Sequence, residues 1–307
     1  MTLAPQHRIQ VVAHRGASED APEHTLAAYM KAIQDGADAL ECDVRLTADG
    51  HLVCVHDRRV NRTSNGRGAV SALELADLAA LDFGSWKTRD ISRGRGEEPD
   101  WETGPESPAR PRQPQRSARL EQPEQPEQWS EPAEHTSVLT LERLLELIAD
   151  SGRRVELAVE TKHPTRWAGQ VEERLLELLT RFGLGTPASA DESPVRVMSF
   201  SARSLQRVRA ASATLPTVYL MQFLGPRLRD GRLPAGVRIA GPSIRIVRNN
   251  PAFVERLKQT GNQVHVWTVN EPEDIDLCVG LGVDALITNR PRAVLERLGR
   301  GGSESGS

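Results

Sequence analysis

Ala39-Leu40-Glu41-Cys42-Asp43 is a short apolar run that closes on two carboxylates, and its reading as a buried strand decides the fold. Alternation along a strand puts Glu41 and Asp43 on one face and Cys42 on the other. Upstream, Ile9–Ala13 makes a similar run and is followed at once by His14-Arg15-Gly16. Downstream the pattern recurs at Val155–Glu160, Val195–Ser199, Thr217–Met221, Val237–Ala240, Val264–Thr268 and Ala285–Thr288. Helical patterns lie between these runs, at His24–Gln34, Thr140–Ser151, Arg166–Phe182, Ala202–Ala211, Pro251–Thr260 and Glu271–Gly280. Leu141, Leu144, Leu145 and Ile148, for example, keep the i, i+3, i+4, i+7 spacing of one buried helix face. Eight strands alternating with helices predict a closed α/β barrel of the (β/α)₈, or TIM, type.

A ninth strand-like run, Leu52–His56, follows Asp43 after too few residues for a crossover helix. Asp49-Gly50 is a turn signal. The spacing therefore predicts a hairpin, Val44–His56, that folds His56 back over the barrel mouth toward His14 and Glu41.

Of the twenty prolines in the 307-residue chain, eight fall between Gly94 and Glu134, among repeated Glu-Gln-Pro and few apolar side chains. Such a segment cannot bury enough surface to offset its ordering entropy, so 94–134 is expected to be a disordered insertion. The Gly/Ser-rich stretch 299–307 reads as a flexible tail. The remainder, 8–298, suits one barrel of roughly 250 residues. Net charge is −3 with both signs mixed, which gives no support for a nucleic-acid partner. The one basic cluster, Arg110 to Arg119, lies inside the insertion. No apolar run approaches the ~18 residues of a membrane span, so no stable membrane insertion is expected. The strand pattern starts by Ile9, ahead of any room for a signal peptide's apolar core, and the three cysteines Cys42, Cys54 and Cys278 read as small buried hydrophobes. A cytoplasmic enzyme is the expectation.

Every chemistry-bearing residue falls at or just past the C-terminal end of a strand, where active sites of this architecture form. Glu41, Asp43 and Glu160 offer oxygen-only ligation for one hard divalent cation, Mg²⁺ or Ca²⁺. Without a cation, the same acids would serve as caps or ion-pair partners. His14 and His56, with ordinary pKa values of ~6.5, are candidates for general base and acid. Arg15 and Lys162 can hold a phosphate, Arg15 through two oxygens and Lys162 as a point charge. They can equally pair with the neighbouring carboxylates. Gly16 reads as either a close-approach glycine or an ordinary turn, and Glu23 as an orienter or a helix cap. Asp57 is placed to orient His56. His51, His135, His163 and His265 carry no pattern and receive no role.

The stretches His14-Arg15-Gly16-Ala17 and Ala21-Pro22-Glu23-His24-Thr25-Leu26 resemble the opening of the glycerophosphodiester phosphodiesterases. Glu41-Cys42-Asp43-Val44, Val55-His56-Asp57, Val159-Glu160-Thr161-Lys162, Ser199-Phe200, Val266-Trp267-Thr268-Val269-Asn270 and Val283–Asn289 are similar to its later motifs, in order, over about residues 9 to 298. The resemblance implies metal-dependent release of glycerol 3-phosphate from a small glycerophosphodiester. One histidine would activate the glycerol 2-hydroxyl as an internal nucleophile and the other would protonate the leaving alcohol. Phe200 and Trp267 would then form an apolar wall facing the glycerol carbons.

Two positions depart from the family pattern. The usual Pro-Glu-Asn-Thr is Pro22-Glu23-His24-Thr25, which brings a third histidine near the site, and the usual Thr-Asp-Pro is Thr288-Asn289-Arg290-Pro291, read as a minor change. A lysophospholipase D-type activity on the same scaffold and a non-catalytic phosphodiester-binding barrel are the rival readings. The five Phe and two Tyr give little sign of the apolar groove that the first needs, and the second needs no acid–base pair.

Overall fold

The computed structural model describes residues 8–87, 136–163 and 169–301. The expectations for 94–134, His135, the start of the helix at Arg166 and the tail beyond residue 301 lie outside the described residues.

Eight parallel strands close into a barrel: β1 (Gln10–His14), β2 (Ala39–Leu46), β4 (Glu156–Thr161), β5 (Val195–Ser199), β6 (Thr217–Met221), β7 (Ile239–Pro242), β8 (Gln263–Val266) and β9 (Ala285–Thr288). β1 pairs with both β2 and β9, which completes the ring. β3 (Leu52–Cys54) is the expected antiparallel arm, registered on β2 as Val44↔Cys54 and Leu46↔Leu52. Its turn is closed by Gly50, at φ +86°, and by Thr47, whose hydroxyl accepts the His51 N–H at 2.9 Å.

The helices are α1 (Leu26–Gln34), α2 (Leu75–Ala79), α3 (Leu141–Ala149), α4 (Gln170–Arg181), α5 (Ala202–Ala211), α6 (Ile244–Asn249), α7 (Pro251–Gln259), α8 (Pro272–Gly280) and α9 (Pro291–Arg297). Thr25, Thr140 and Ser201 cap α1, α3 and α5 through side-chain oxygens that accept backbone N–H groups in the first turn. The sequence pattern missed the short helices α2, α6 and α9. It also set β7 two residues early and ran β8 on to Thr268. β7 begins only after Gly236 and Val237, because Gly236 turns the chain at φ +78°. β8 stops at Val266 because Trp267 leaves the β9 ladder and bonds Pro242 and Ile244 instead.

Inward-facing side chains stack in layers. Val12, Ala39, Ala158, Met198, Leu220, Ala285 and Ile287 fill the middle of the barrel. Two larger apolar clusters seal strands against helices, one centred on Leu40, Leu144, Leu157 and Leu175, the other on Phe253, Val264 and Leu286. Among the described residues no helix is long and apolar enough to cross a membrane.

Candidate active site

Strand register brings the expected residues together at the C-terminal mouth. His14 sits level with Glu41 across β1 and β2, and Asp43 sits level with Glu160 across β2 and β4. Oxygens of Glu41, Asp43 and Glu160, all buried, lie within 4.8 Å of one another. Burial, then the charges of Asp43 and Glu160, push Glu41 well above the usual carboxylate range. Burial, with Asp43 beside it, raises Glu160 to about 7 although Lys162 opposes the shift. For Asp43 burial also favours the neutral form, but Lys162, His56 and Arg15 outweigh it and hold the group well below its ordinary value. Three buried carboxylates, two of them pushed upward by burial and by their neighbours' charge, are a donor set that fits a hard divalent cation.

The two cations of the site also touch this cluster. Lys162 Nζ lies 3.2 Å from Asp43 and 3.0 Å from Glu160, and Arg15 Nε lies 3.2 Å from Asp43. Arg15 stands at φ +56° and His24 at φ +59°, a left-handed backbone that costs non-glycine residues about 1–3 kcal/mol each. Buried bonds hold both in place: the Arg15 N–H donates to Glu41 Oε2 at 3.0 Å and the His24 N–H to the Arg15 carbonyl at 3.1 Å. Gly16, at φ +85°, is needed because α1 comes so close that an added Cβ would meet Ala28 at 2.7 Å.

His14 Nδ1 contacts Asn289 Oδ1 at 2.7 Å, and Ser18 Oγ donates to the same oxygen at 3.0 Å. An amide oxygen only accepts, so Nδ1 carries the proton and Nε2, 4.0 Å from Glu41, keeps its lone pair. The hairpin places His56 where Asp43, His14 and Arg15 all feel its charge. His56 Nδ1 contacts the Asp57 carboxylate at 2.8 Å, and Arg45 donates to the His56 carbonyl. Burial, then Arg15, lowers His14 to about 3; burial, then Arg15 and Lys162, lowers His56 to about 4.

Three features escaped the sequence reading. Asn289 is a direct support of His14 rather than a minor replacement. Arg62 clamps Asp57 through Nε at 2.8 Å and Glu23 through Nη1 and Nη2, both at 2.8 Å, and Glu23 in turn takes Arg15 Nη1 at 3.1 Å. Glu23 thus joins the two histidine loops, and Thr25 caps α1 in its place. His24 is buried behind the cluster, with Nε2 2.9 Å from Asp43 Oδ2 and Nδ1 2.9 Å from the Tyr29 hydroxyl, which donates to the Glu41 carbonyl. The departure at Pro22-Glu23-His24-Thr25 marks His24 as a third histidine near the site; its bridge between Asp43 and Tyr29 is what the sequence does not show.

Phe200 and Trp267 meet edge to face at 5.4 Å, and the Trp267 indole donates to the Gly241 carbonyl at 2.7 Å. Phe200 is 41% exposed at the mouth.

A closed parallel barrel with acids, bases and cations gathered at its C-terminal face defines a TIM barrel with a candidate active site at its mouth. Residues 14–293 match the model of the glycerophosphoryl diester phosphodiesterase family. The Mycobacterium tuberculosis protein named "Probable glycerophosphodiester phosphodiesterase 1" is 43% identical over 92% of this chain and 89% of its own. A Bacillus subtilis glycerophosphodiester phosphodiesterase is 31% identical over 94% and 86%. The solved structure of an Oleispira antarctica phosphodiesterase in complex with its product sn-glycerol-3-phosphate superposes with a TM-score of 0.67 at 22% identity, covering 94% of this chain and 96% of that one. The chain belongs to the glycerophosphoryl diester phosphodiesterase family and is an enzyme of the phosphoric diester hydrolase class.

Proposed function

We propose that the protein hydrolyses glycerophosphodiesters to glycerol 3-phosphate and an alcohol, with a divalent cation and two histidines. The observation that carries this reading is the gathering of Glu41, Asp43 and Glu160 within 4.8 Å, with His14 beside Glu41 and with Arg15, Lys162 and the charge of His56 bearing on Asp43. Mg²⁺ or Ca²⁺ held by those three carboxylates would offset charge on the phosphate oxygens. A cation there would also take up part of the carboxylate charge that pairs with Lys162 and Arg15, leaving both able to hold the phosphate.

The surroundings of the histidines divide their roles. His14 rests on a neutral amide, which fixes its tautomer and leaves Nε2 as a base. His56 rests on the Asp57 carboxylate, which opposes the burial and the charges of Arg15 and Lys162 that lower it to about 4, so His56 becomes the acid once those two cations turn to the phosphate. His14 Nε2 takes the proton of the glycerol 2-hydroxyl as its oxygen attacks phosphorus. The bond from phosphorus to the alcohol oxygen breaks, and His56 gives that oxygen its proton. Water then attacks the cyclic phosphate and the ring opens at the 2-oxygen, with the two histidines exchanging roles. Internal attack by a held hydroxyl gains from proximity.

Exposed aromatic surface favours a second reading. Phe200 and Phe223, 41% and 61% exposed, follow β5 and β6 at the mouth and offer an acyl chain an apolar footing, as a lysophospholipid substrate would need. A panel of glycerophosphodiesters and lysophospholipids decides between them, scored for glycerol 3-phosphate against lipid phosphate, with EDTA and with added Mg²⁺ or Ca²⁺. Turnover unaffected by EDTA, or no glycerol 3-phosphate from any diester, overturns the first reading. A small soluble substrate in the cytoplasm is the setting that accords with it.

A further inference from the structure

His24 is buried, and its two ring nitrogens are committed in opposite directions. Nε2 lies 2.9 Å from Asp43 Oδ2, and Nδ1 lies 2.9 Å from the Tyr29 hydroxyl. Tyr29 is fully buried in α1, and its hydroxyl stands between that nitrogen and the Glu41 carbonyl, 3.0 Å away. A continuous strut therefore runs from α1 through the imidazole to the side chain of one acid and the backbone of another. The His24 N–H, bonded to the Arg15 carbonyl at 3.1 Å, fixes the base of the ring.

What the strut decides is which carboxylate oxygen is available. An ionised carboxylate only accepts, so Nε2 presents a proton to Oδ2. Arg15 Nε stands 3.2 Å from the same oxygen, whereas Lys162 Nζ lies 3.2 Å from Oδ1 and 3.0 Å from Glu160 Oε1. These three neighbours of Asp43 differ in their freedom. Lys162 and Arg15 end flexible chains, and each has a second acid to lean on, Glu160 for one and Glu23 for the other. The His24 ring turns only about χ1 and χ2, stands on a left-handed backbone at φ +59° and is bonded at both nitrogens. Oδ2 thus stays occupied when the two cations turn to a phosphate, and Oδ1 is the Asp43 oxygen left for an ion. Glu41 is committed in a similar way, because its Oε2 takes the Arg15 N–H at 3.0 Å.

Ion chemistry turns that arrangement into selectivity. Ca²⁺ gathers about 6–8 oxygens in flexible geometry and readily uses both oxygens of a carboxylate. Mg²⁺ holds a tight octahedron, which single carboxylate oxygens and waters complete. Acids that give one oxygen each meet the second demand and fall short of the first.

We propose, resting on the cation reading above, that His24 is a positioning residue: braced by Tyr29, it withholds Asp43 Oδ2 from the ion and so biases the site toward Mg²⁺ and against Ca²⁺.

Isothermal titration calorimetry of the full-length protein with Mg²⁺ and, separately, Ca²⁺ at one fixed pH reads the ratio of the two dissociation constants without any turnover. An asparagine side chain ends level with Nδ1, so His24→Asn keeps a partner for Tyr29 and loses the donor to Asp43. Glutamine reaches the Nε2 position and keeps that donor. In His24→Asn the ratio should move about 10-fold in favour of Ca²⁺, the scale of one hydrogen bond to a charged group. His24→Gln should hold the parent ratio. Tyr29→Phe removes only the brace and should move the ratio in the same direction by less; it carries the comparison if His24→Asn does not fold. Equal weakening of both ions in His24→Asn and Tyr29→Phe is what a merely structural role gives, and it overturns the inference alone. So does a ratio that His24→Gln shifts as far as His24→Asn. A parent protein that binds neither ion overturns the cation reading itself, and this inference with it.

Discussion

The two ends of this barrel are built from the same strands by the same alternation, yet they resolve their buried charge in opposite ways. At the mouth, ionic groups interlock: His56, Asp57, Arg62, Glu23, Arg15, Asp43, Lys162 and Glu160 form one chain of contacts. At the foot, Arg196, Thr217 and His265 each keep a buried polar atom unbonded. A closed network fixes geometry before substrate arrives, which is what transition-state stabilisation requires. At the foot those atoms are sealed from solvent as well as unbonded, so their desolvation is not offset. In both cases the polar layer is possible because an apolar layer lies between, and each end can be altered without touching the other.

The largest effects should come from the mouth. His14→Ala and His56→Ala are each expected to cut kcat by ~10²–10⁴-fold, with KM less affected. The double variant should fall by much less than the product, since removing one partner disables the route the other serves. The base must be neutral, so activity is lost as pH falls; the acid must be charged, so activity is lost as pH rises. His14→Ala should therefore lose the acidic limb of the pH–rate profile and His56→Ala the alkaline one. Near-parent kcat in His56→Ala with both limbs present would sink the two-histidine mechanism.

Next in size is the coupling of cation to protons. Glu160, raised to about 7, is protonated in the folded metal-free protein between pH ~4.5 and 7, while the unfolded chain is ionised there. Its contribution to stability is thus full below pH ~4.5 and lost as pH rises through about 7. A bound cation would expel that proton. Affinity should rise steeply with pH up to about 7, by about 10-fold per pH unit for each proton released, and Tm in the presence of metal should rise where the metal-free Tm falls. Calorimetry in buffers of different ionisation enthalpy counts the protons. Asp43→Asn should abolish metal binding and turnover together; normal affinity and full activity in that variant would remove the cluster from the mechanism.

Much of the mouth was legible in the sequence because its chemistry sits on strand ends, where period-two alternation and a closing charged residue mark position directly. Glu41, Asp43 and Glu160 are brought together by register that the run lengths already suggest. The hairpin was legible too, since Asp49-Gly50 and a gap too short for a helix leave no other connection. Arg62 and Asn289 were not. Each joins segments far apart in the chain, Arg62 to Glu23 and Asn289 to His14, and no local period encodes a partner 39 or 275 residues away. Glu23 was left open between orienter and cap for the same reason: next to Thr25 it looks like a cap, and only the tertiary fold supplies its two arginines. At the foot, His265 carried no motif, and its significance lies wholly in what fails to reach it.

A moderate effect should follow from the amide under His14. In Asn289→Ala the ring loses the acceptor that holds its Nδ1 proton, so part of the population adopts the wrong tautomer. kcat should fall by about 10-fold, well short of the loss in His14→Ala, because the base itself remains. Asn289→Asp is the sharper probe. A carboxylate there stabilises the imidazolium, so the acidic limb should move to higher pH while the alkaline limb, set by His56, stays in place. Movement of the alkaline limb instead would reverse the roles assigned to the two histidines.

The smallest effect tests the foot and runs in the opposite direction. Thr217 Oγ1 is buried without a bonded partner, so its hydroxyl was stripped of water at a cost that nothing in the fold offsets. Valine has nearly the same shape and removes the orphan. Thr217→Val should raise the stability of the free protein by about 1 kcal/mol, a shift of about 2–4 °C in Tm for a domain of this size. At the mouth the equivalent loss of a polar atom, as in Glu23→Gln, should lower Tm, because there the partners exist and would be left unpaired. If Thr217→Val is destabilising, the hydroxyl is satisfied in solution and the contrast between the two ends fails.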